Sequence, residues 1–347
     1  MSKLNLSKTV IGYYPEWINP GLPPEQLDFS SLTHVALAFL RVNEDGSCYE
    51  TPAFTAVRDE LVKAAHAKNV RVLVSFGGGS RAALEEFQKM TVSSVQIKSF
   101  AKWSAAYAKK YGFDGLDMDW EFPNNEKESK AYTEIMVETK KALLEIGNNF
   151  YNEPYYLSLA MPQGKREGDF FDVAGIEPCV DTFNIMTYDY YSDRTGVCGH
   201  NAPLYKSVGA PLETCLDVTM DYWINLRNMP KHKALIGIPF YGRGWSDCAE
   251  INDVHTVNYK EDEKLYAVIE QNFKIGWEDR WDSVARVPYR VNTKGKGVIG
   301  FDNEQSISEK CEYAIKKGFA GTIIWAVGQD AIKGQQPLLR KVGEKFR

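Results

Sequence analysis

No stretch of the 347 residues is apolar for long enough to span a bilayer, and no cluster of Lys and Arg offers a surface to a phosphate backbone. With 41 basic against 46 acidic side chains the net charge is −5, so neither a membrane nor a nucleic acid is expected as a partner. Histidine is scarce at five residues, and there is no GxSxG elbow, which argues against a Ser-His-Asp triad. The six cysteines (Cys48, Cys179, Cys198, Cys215, Cys248, Cys311) form no CxxC pair and have no His at ligand spacing, so no metal or other cofactor is expected. They read as buried reduced thiols, with disulfides left open if the chain is exported. The opening MSKLNLSKTV lacks the apolar core of a leader, which as written implies a cytoplasmic protein, or a secreted one if a leader has been removed. No low-complexity linker, short-period repeat or second domain is visible, and a monomer is expected.

What is present is an ordinary globular composition, 44% hydrophobic and 25% charged, with the apolar residues in short runs along the whole chain. Eight of these runs read as strands: TVIGYY from Thr9, THVALAF from Thr33, VRVLVSF from Val70, FDGLDMDW from Phe113, YYLSLAMP from Tyr155, DTFNIMTYD from Asp181, ALIGIPFYG from Ala234 and GTIIWAVG from Gly321. Helical periodicity fills most of the gaps, over 53–68, 95–110, 126–146 and 211–227. Strands that are apolar on both faces and alternate with helices predict a parallel sheet, and eight such units close a (β/α)8 TIM barrel; a doubly wound open sheet is the alternative. The barrel is preferred because polar residues recur at the carboxyl ends of several strands, where barrels place their active sites. The roughly sixty residues between Tyr241 and Gln305 fit no strand-helix unit. The expected division is therefore a barrel of residues 1–245 and 302–347 with a small α+β insertion, 246–301, between strand seven and helix seven. Its aromatics, including Tyr266, Phe273, Trp277, Trp281 and Tyr289, suit either a modest core or one wall of a cleft.

The strongest chemical signal is DGLDMDWE, which puts Asp114, Asp117, Asp119 and Glu121 inside an apolar strand. Side chains alternate along a strand, so 117, 119 and 121 face one way at roughly 6 to 7 Å per two-residue step. Leu116, Met118 and Trp120 face the other way, as a packed strand demands and a solvated acidic turn does not. Carboxyls this close do not all ionise near neutral pH, and a retained proton is what general acid catalysis requires. A divalent metal completed by water and phosphate is the other use of such acids.

This motif resembles the DxxDxDxE signature of glycoside hydrolase family 18, the chitinases and their relatives. SFGGG from Ser75 resembles the family's SxGG on the third strand, MTYD from Met186 its MxYD on the sixth, and Trp325 the tryptophan that floors the sugar site. The segments VIGYY around Tyr13, AFL around Phe39 and IPFYGR around Tyr241 extend the resemblance over nearly the whole chain. It implies hydrolysis of β-1,4 links between N-acetylglucosamine units, with chitin or chitooligosaccharides as partner and with the substrate's own acetamido oxygen as nucleophile. By the same resemblance Glu121 is the general acid and base, Asp119 holds the acetamido N–H and stabilises an oxazolinium, Asp117 shares a proton with Asp119, and Tyr188 orients the acetamido oxygen. Configuration is then retained. Trp325, Tyr13, Phe39, Met186, Asp189, Tyr241 and Met161 are the implied substrate contacts, while Asp114, Ser75, Gly77 and Gly78 read as structural support.

Two departures stand out. Many chitinases follow SxGG with Trp, where this chain has Gly79, and the stretch 192–196 after MTYD carries no aromatic. Weak acceptor-side binding and modest transglycosylation are expected, with Tyr190 or Tyr191 as candidate substitutes. The short insertion implies a shallow groove, and without a chitin-binding module soluble oligomers should be better substrates than crystalline chitin. The competing readings are an endo-β-N-acetylglucosaminidase acting on N-glycans, which uses the same chemistry, and a non-catalytic chitin-binding lectin, whose members typically lack the final Glu.

Overall fold

A computed structural model describes residues 8–18, 21–192, 195–257 and 264–347. The strands of the first half are β1 (Thr9–Pro15), β2 (His34–Val42), β3 (Cys48–Tyr49), β4 (Arg71–Gly77), β5 (Gly115–Asp119) and β6 (Tyr156–Met161). Those of the second are β7 (Thr182–Ile185), β8 (Ala234–Pro239), β9 (Arg243–Trp245), β10 (Trp277–Asp282), β11 (Val287–Asn292), β12 (Val298–Gly300) and β13 (Gly321–Trp325). The helices are α1 (Pro52–His66), α2 (Arg81–Met90), α3 (Ser94–Tyr111), α4 (Glu126–Glu145), α5 (Lys165–Gly168), α6 (Val173–Ile176), α7 (Leu216–Asp221), α8 (Tyr266–Asn272), α9 (Glu304–Lys317) and α10 (Pro337–Phe346).

Eight strands pair in parallel in the order β1-β13-β8-β7-β6-β5-β4-β2, and β2 returns to β1, so the sheet closes as a (β/α)8 barrel and the open-sheet alternative falls. All eight are the predicted strands. Alternation sorts their side chains into two cores. Ile11, Tyr13, Ala36, Ala38, Leu73, Leu235 and Ile323 fill the barrel, while Val10, Tyr14, Leu116, Met118 and Trp120 join the layer under the helices. Register then places chemistry: Ser75 lies beside Asp117, Asp117 beside Ser158, and Gly77 beside Asp119.

Helix α2 was absent from the sequence reading, although Ser80 caps it and Ala83, Phe87 and Met90 bury one face. The stretch 211–227 is helical only from Leu216, and its last turn, Tyr222–Leu226, widens to a π-helix. Its start is late because the amides of Leu216 and Asp217 donate to the carbonyls of Pro203 and Leu204 instead of to a preceding turn.

Between β8 and α9 lies a second, antiparallel sheet in the order β10-β11-β12-β9, with α8 before β10. It opens at Arg243, ahead of the expected boundary at 246, because β9 continues from β8 almost at once and pairs with β12. Residues 258–263 of the expected insertion, and 1–7, 19–20 and 193–194 of the expected barrel, lie outside the described ones. Four of the insertion's five aromatics pack into its core, Tyr266 near Phe301, Phe273 on Trp277, and Tyr289 against His200, while Trp281 is half-buried on β10. None of the five lines the cavity at the mouth of the barrel. The six cysteines are thiols.

Candidate active site

Strand β5 carries its carboxyls from the barrel interior up to the mouth. Deepest is Asp117, fully buried, which accepts four hydrogen bonds from four different strands. Oδ2 takes Tyr13 Oη (2.9 Å) and Ser75 Oγ (2.7 Å), and Oδ1 takes Ser158 Oγ (2.6 Å) and Asn184 Nδ2 (3.0 Å). Burial raises its pKa, and those donors pull it back. Two residues on, Asp119 is buried with Oδ1 left without a hydrogen-bond partner. Burial first, then the charges of Glu121 and Asp117, push its pKa well above the ordinary carboxylate range. Glu121, at the mouth, is pushed up to about 7 by burial and by Asp189. All three carboxyls are raised, and in Asp117 alone do four hydrogen-bond donors offset the effect of burial.

Tyr188 and Asp189 follow β7. Burial, then Asp119 and Glu121, hold the Tyr188 phenol well above its usual pKa, so it is a proton donor throughout the neutral range. Asp189 sits in the left-handed region at φ 60°. Its Oδ1 accepts Tyr241 Oη (2.7 Å) and pairs with Arg243 Nη2 (2.7 Å). The opposite wall is aromatic. Phe39 stacks on Trp325 with centroids 5.5 Å apart at 19°, Tyr13 is tilted against the same indole at 5.7 Å, and Trp17 meets its edge at 6.3 Å.

Together these residues line a cavity of ≈ 260 Å³ that includes Tyr13, Phe39, Asp119, Glu121, Met186, Tyr188, Asp189, Tyr241 and Trp325. Asp117 lies beneath it as a buried neighbour. Met161 does not line it: it is fully buried in the layer under the helices, and Ala160 reaches the cavity in its place. Strand alternation is the reason, since only one of two adjacent residues on β6 faces inward. Tyr190 and Tyr191 are not substitute platforms either, for both are buried and Tyr190 Oη donates to Thr219 Oγ1 (2.7 Å). Ser75 supports Asp117 as expected, and Asp114, fully buried, accepts the Val72 amide (2.8 Å) and faces His66 Nε2 (2.8 Å) at the far end of β5. The sequence reading missed Ser158 and Asn184. Ser158 had a signal in parity and register, since it faces inward beside Asp117, whereas Asn184 lies one strand further on, beside Ala160, and reaches Asp117 from there. It also missed Trp17, which with Glu16, Arg41 and Ser80 extends the aromatic wall, and Arg243, whose partner lies far away in the chain. Among the described residues no group of three or more His, Cys, Asp or Glu is arranged to hold a metal ion.

A sugar ring needs a flat apolar surface beneath it and a proton donor beside the bond to be cut, and this cavity has residues for both. The chain belongs to glycosyl hydrolases family 18, whose sequence profile matches residues 9–330. It is 29% identical over 279 residues to a probable endochitinase of Caenorhabditis elegans, covering 75% of this chain and 44% of the relative. It is 27% identical over 297 residues to chitinase A1 of Niallia circulans, covering 78% of this chain and 42% of that protein. The chain therefore spans less than half the length of these two relatives. In fold it is similar to a family GH18 chitinase from Cycas revoluta solved with allosamidin, with a TM-score of 0.88 and 23% identity over 98% of this chain and 100% of that one.

Proposed function

We propose that the protein is a chitinase that hydrolyses β-1,4 links between N-acetylglucosamine units with retention of configuration, the substrate's acetamido oxygen serving as nucleophile. The observation that carries this reading is the state of Asp119: buried, with one oxygen unpartnered and its pKa well raised. A carboxyl that holds its proton is a poor nucleophile, so the two-carboxylate scheme of most retaining glycosidases lacks its second member here. A 2-acetamido group can take its place. Its N–H would meet the free oxygen of Asp119, and Tyr188 would donate to its carbonyl, aligning that oxygen with the anomeric carbon.

Glu121 then protonates the leaving oxygen, which its raised pKa favours near neutral pH. The acetamido oxygen displaces the leaving sugar and forms an oxazolinium. As positive charge develops, Asp119 gives its proton toward Asp117, which accepts it as one of the Tyr13, Ser75 or Ser158 hydroxyls that donate to it rotates away, and the resulting charge on Asp119 faces the intermediate. Glu121, now a carboxylate, takes a proton from water, which opens the ring from the face the leaving group left. Two displacements restore the β configuration. Trp325 beneath the donor sugar supplies the apolar floor, with Tyr13, Phe39, Met186, Asp189 and Tyr241 around it.

The test is to incubate wild type and Glu121→Gln with N-acetylglucosamine hexamer in EDTA and follow product lengths and anomers by chromatography. Wild type should release β-anomeric dimer or trimer, and the variant should be slower by at least about 10³-fold while still binding the hexamer. Initial release of the α anomer would refute retention. No cleavage by wild type would refute the chitinase reading and turn attention to N-glycans, or to binding without catalysis.

A further inference from the structure

Asn201 lies behind the cleft wall, 1% exposed. Its carboxamide is used at both ends. Oδ1 accepts the backbone N–H of Asp189 (3.1 Å), and Nδ2 donates to the backbone carbonyl of Tyr241 (3.0 Å). Its own carbonyl accepts the N–H of Tyr190 (3.2 Å). One side chain therefore ties the loop after β7 to the loop after β8, and it does so at the two residues whose side chains meet in the Tyr241 Oη to Asp189 Oδ1 hydrogen bond (2.7 Å). Asp189 needs such a tie, because its φ of 60° is a conformation that a non-glycine residue keeps only when its surroundings hold it there.

The preceding residue anchors this one. His200 Nε2 faces Asp282 Oδ2 (3.0 Å) on β10, and Ser207 Oγ reaches the same oxygen, so the 199–201 segment is fixed to the inserted sheet. We infer that Asn201 is a positioning residue for the hydrolytic reaction, holding Asp189 and Tyr241 against the reacting groups and linking the inserted sheet to the cleft. The inference rests on the hydrolase reading above.

The requirement is specific to a short carboxamide. The position needs an acceptor for one backbone N–H and a donor for one backbone carbonyl, which Asp, Leu and Ala cannot both supply. Releasing Asp189 has a readable consequence. Glu121 is faced by Asp119 from β5, by Tyr188 and Asp189 after β7, and by Tyr241 after β8, with Arg243 behind Asp189 on β9. Of these, Asp189 contributes to the raised pKa of Glu121, so an Asp189 that swings away lets Glu121 lose its proton at lower pH.

Asn201→Leu and Asn201→Thr should be measured beside wild type on N-acetylglucosamine hexamer between pH 4 and 9, with thermal unfolding followed in parallel. The expected result is a fall of roughly 10- to 100-fold in kcat/KM, carried mainly by kcat, with the alkaline limb displaced to lower pH. Asn201→Thr, which can keep one of the two bonds, should fall between Asn201→Leu and wild type. A folded variant with an unmoved limb and a loss of rate no larger than its unfolded fraction would overturn the inference. Failure of both variants to fold would also overturn it, making Asn201 a folding residue. An inactive wild type would sink the hydrolase reading itself, an outcome the same assay tells apart from an active wild type with unaffected variants.

Discussion

At the scale of single residues, the acids of β5 are set apart by what surrounds each of them. Asp117 has four donors, Asp119 has an unpartnered oxygen, and Glu121 stands at the mouth beside Asp189. In the proposed reaction Glu121 must hold a proton to cleave, so activity should be present below its pKa and lost above it. We expect the alkaline limb of kcat/KM to bend near about pH 7, the value to which Glu121 is raised, as an apparent constant of the Glu121 and Asp119 pair. A limb beyond pH 9 on an uncharged oligosaccharide would contradict that assignment. Asp119 makes a second, opposite prediction. Its folded pKa lies above that of the unfolded chain, so its contribution to stability is intact below about pH 4 and declines as pH rises toward the folded value. Asp119→Asn removes that decline. It should unfold at a higher temperature than wild type at pH 8, by roughly 1–3 °C, with a smaller gain at pH 5, while losing most activity. A gain that shrinks as pH rises would show the sign to be wrong.

At the scale of elements, what could be read in advance is what strand alternation controls. The eight barrel strands, the inward column of Asp117, Asp119 and Glu121, and the outward Leu116, Met118 and Trp120 all follow from a period of two. The same rule, applied to β6, would have replaced Met161 with Ala160. What was not legible depends on partners distant in the chain: Asn184 meeting Asp117, Arg243 meeting Asp189, and the late start of α7 set by Pro203 and Leu204. The third-strand glycines lie between the two cases. Their motif was visible, but the reason for it is contact with the next strand. Gly77 has φ 112°, and a Cβ there would sit 2.3 Å from the carbonyl oxygen of Asp119, while one on Gly78 would sit 2.6 Å from the Phe39 ring. Backbone cannot yield as a side-chain end can. Gly77→Ala should therefore cost about 2–4 kcal/mol in urea unfolding and reduce kcat, since β5 must shift with its acids. A cost below about 0.5 kcal/mol with full activity would mean that the two strands separate more easily than their packing implies.

At the scale of the whole molecule, the cleft is lopsided. On one side of Glu121 stand Trp325, Phe39, Tyr13 and the half-exposed Trp17, all within one connected set of ring contacts. Gly79, which borders the groove lined by Trp17, Phe39 and Trp325, presents no side chain of its own, and Tyr190 and Tyr191 are turned into the core around the inserted sheet. On the proposed reading the connected rings serve the donor sugar, and sugar-binding energy would be concentrated on that side. In the proposed reaction an incoming sugar would compete with water for the oxazolinium without a platform of its own, so hydrolysis should dominate over transglycosylation. The asymmetry is open to test because the backbone at Gly79 is not in the left-handed region, and its missing Cβ points at Glu121, 3.1 Å from Oε1. A ring introduced there would border the acceptor position and narrow the access of water to Glu121. Gly79→Trp should add on the order of 1 kcal/mol of stacking to an acceptor sugar, about a fivefold gain in occupancy, and raise the share of products longer than the starting hexamer by a similar factor. An unchanged product distribution, in a variant that still cleaves, would mean that partition of the intermediate is set by how water is held near Glu121 rather than by the missing platform.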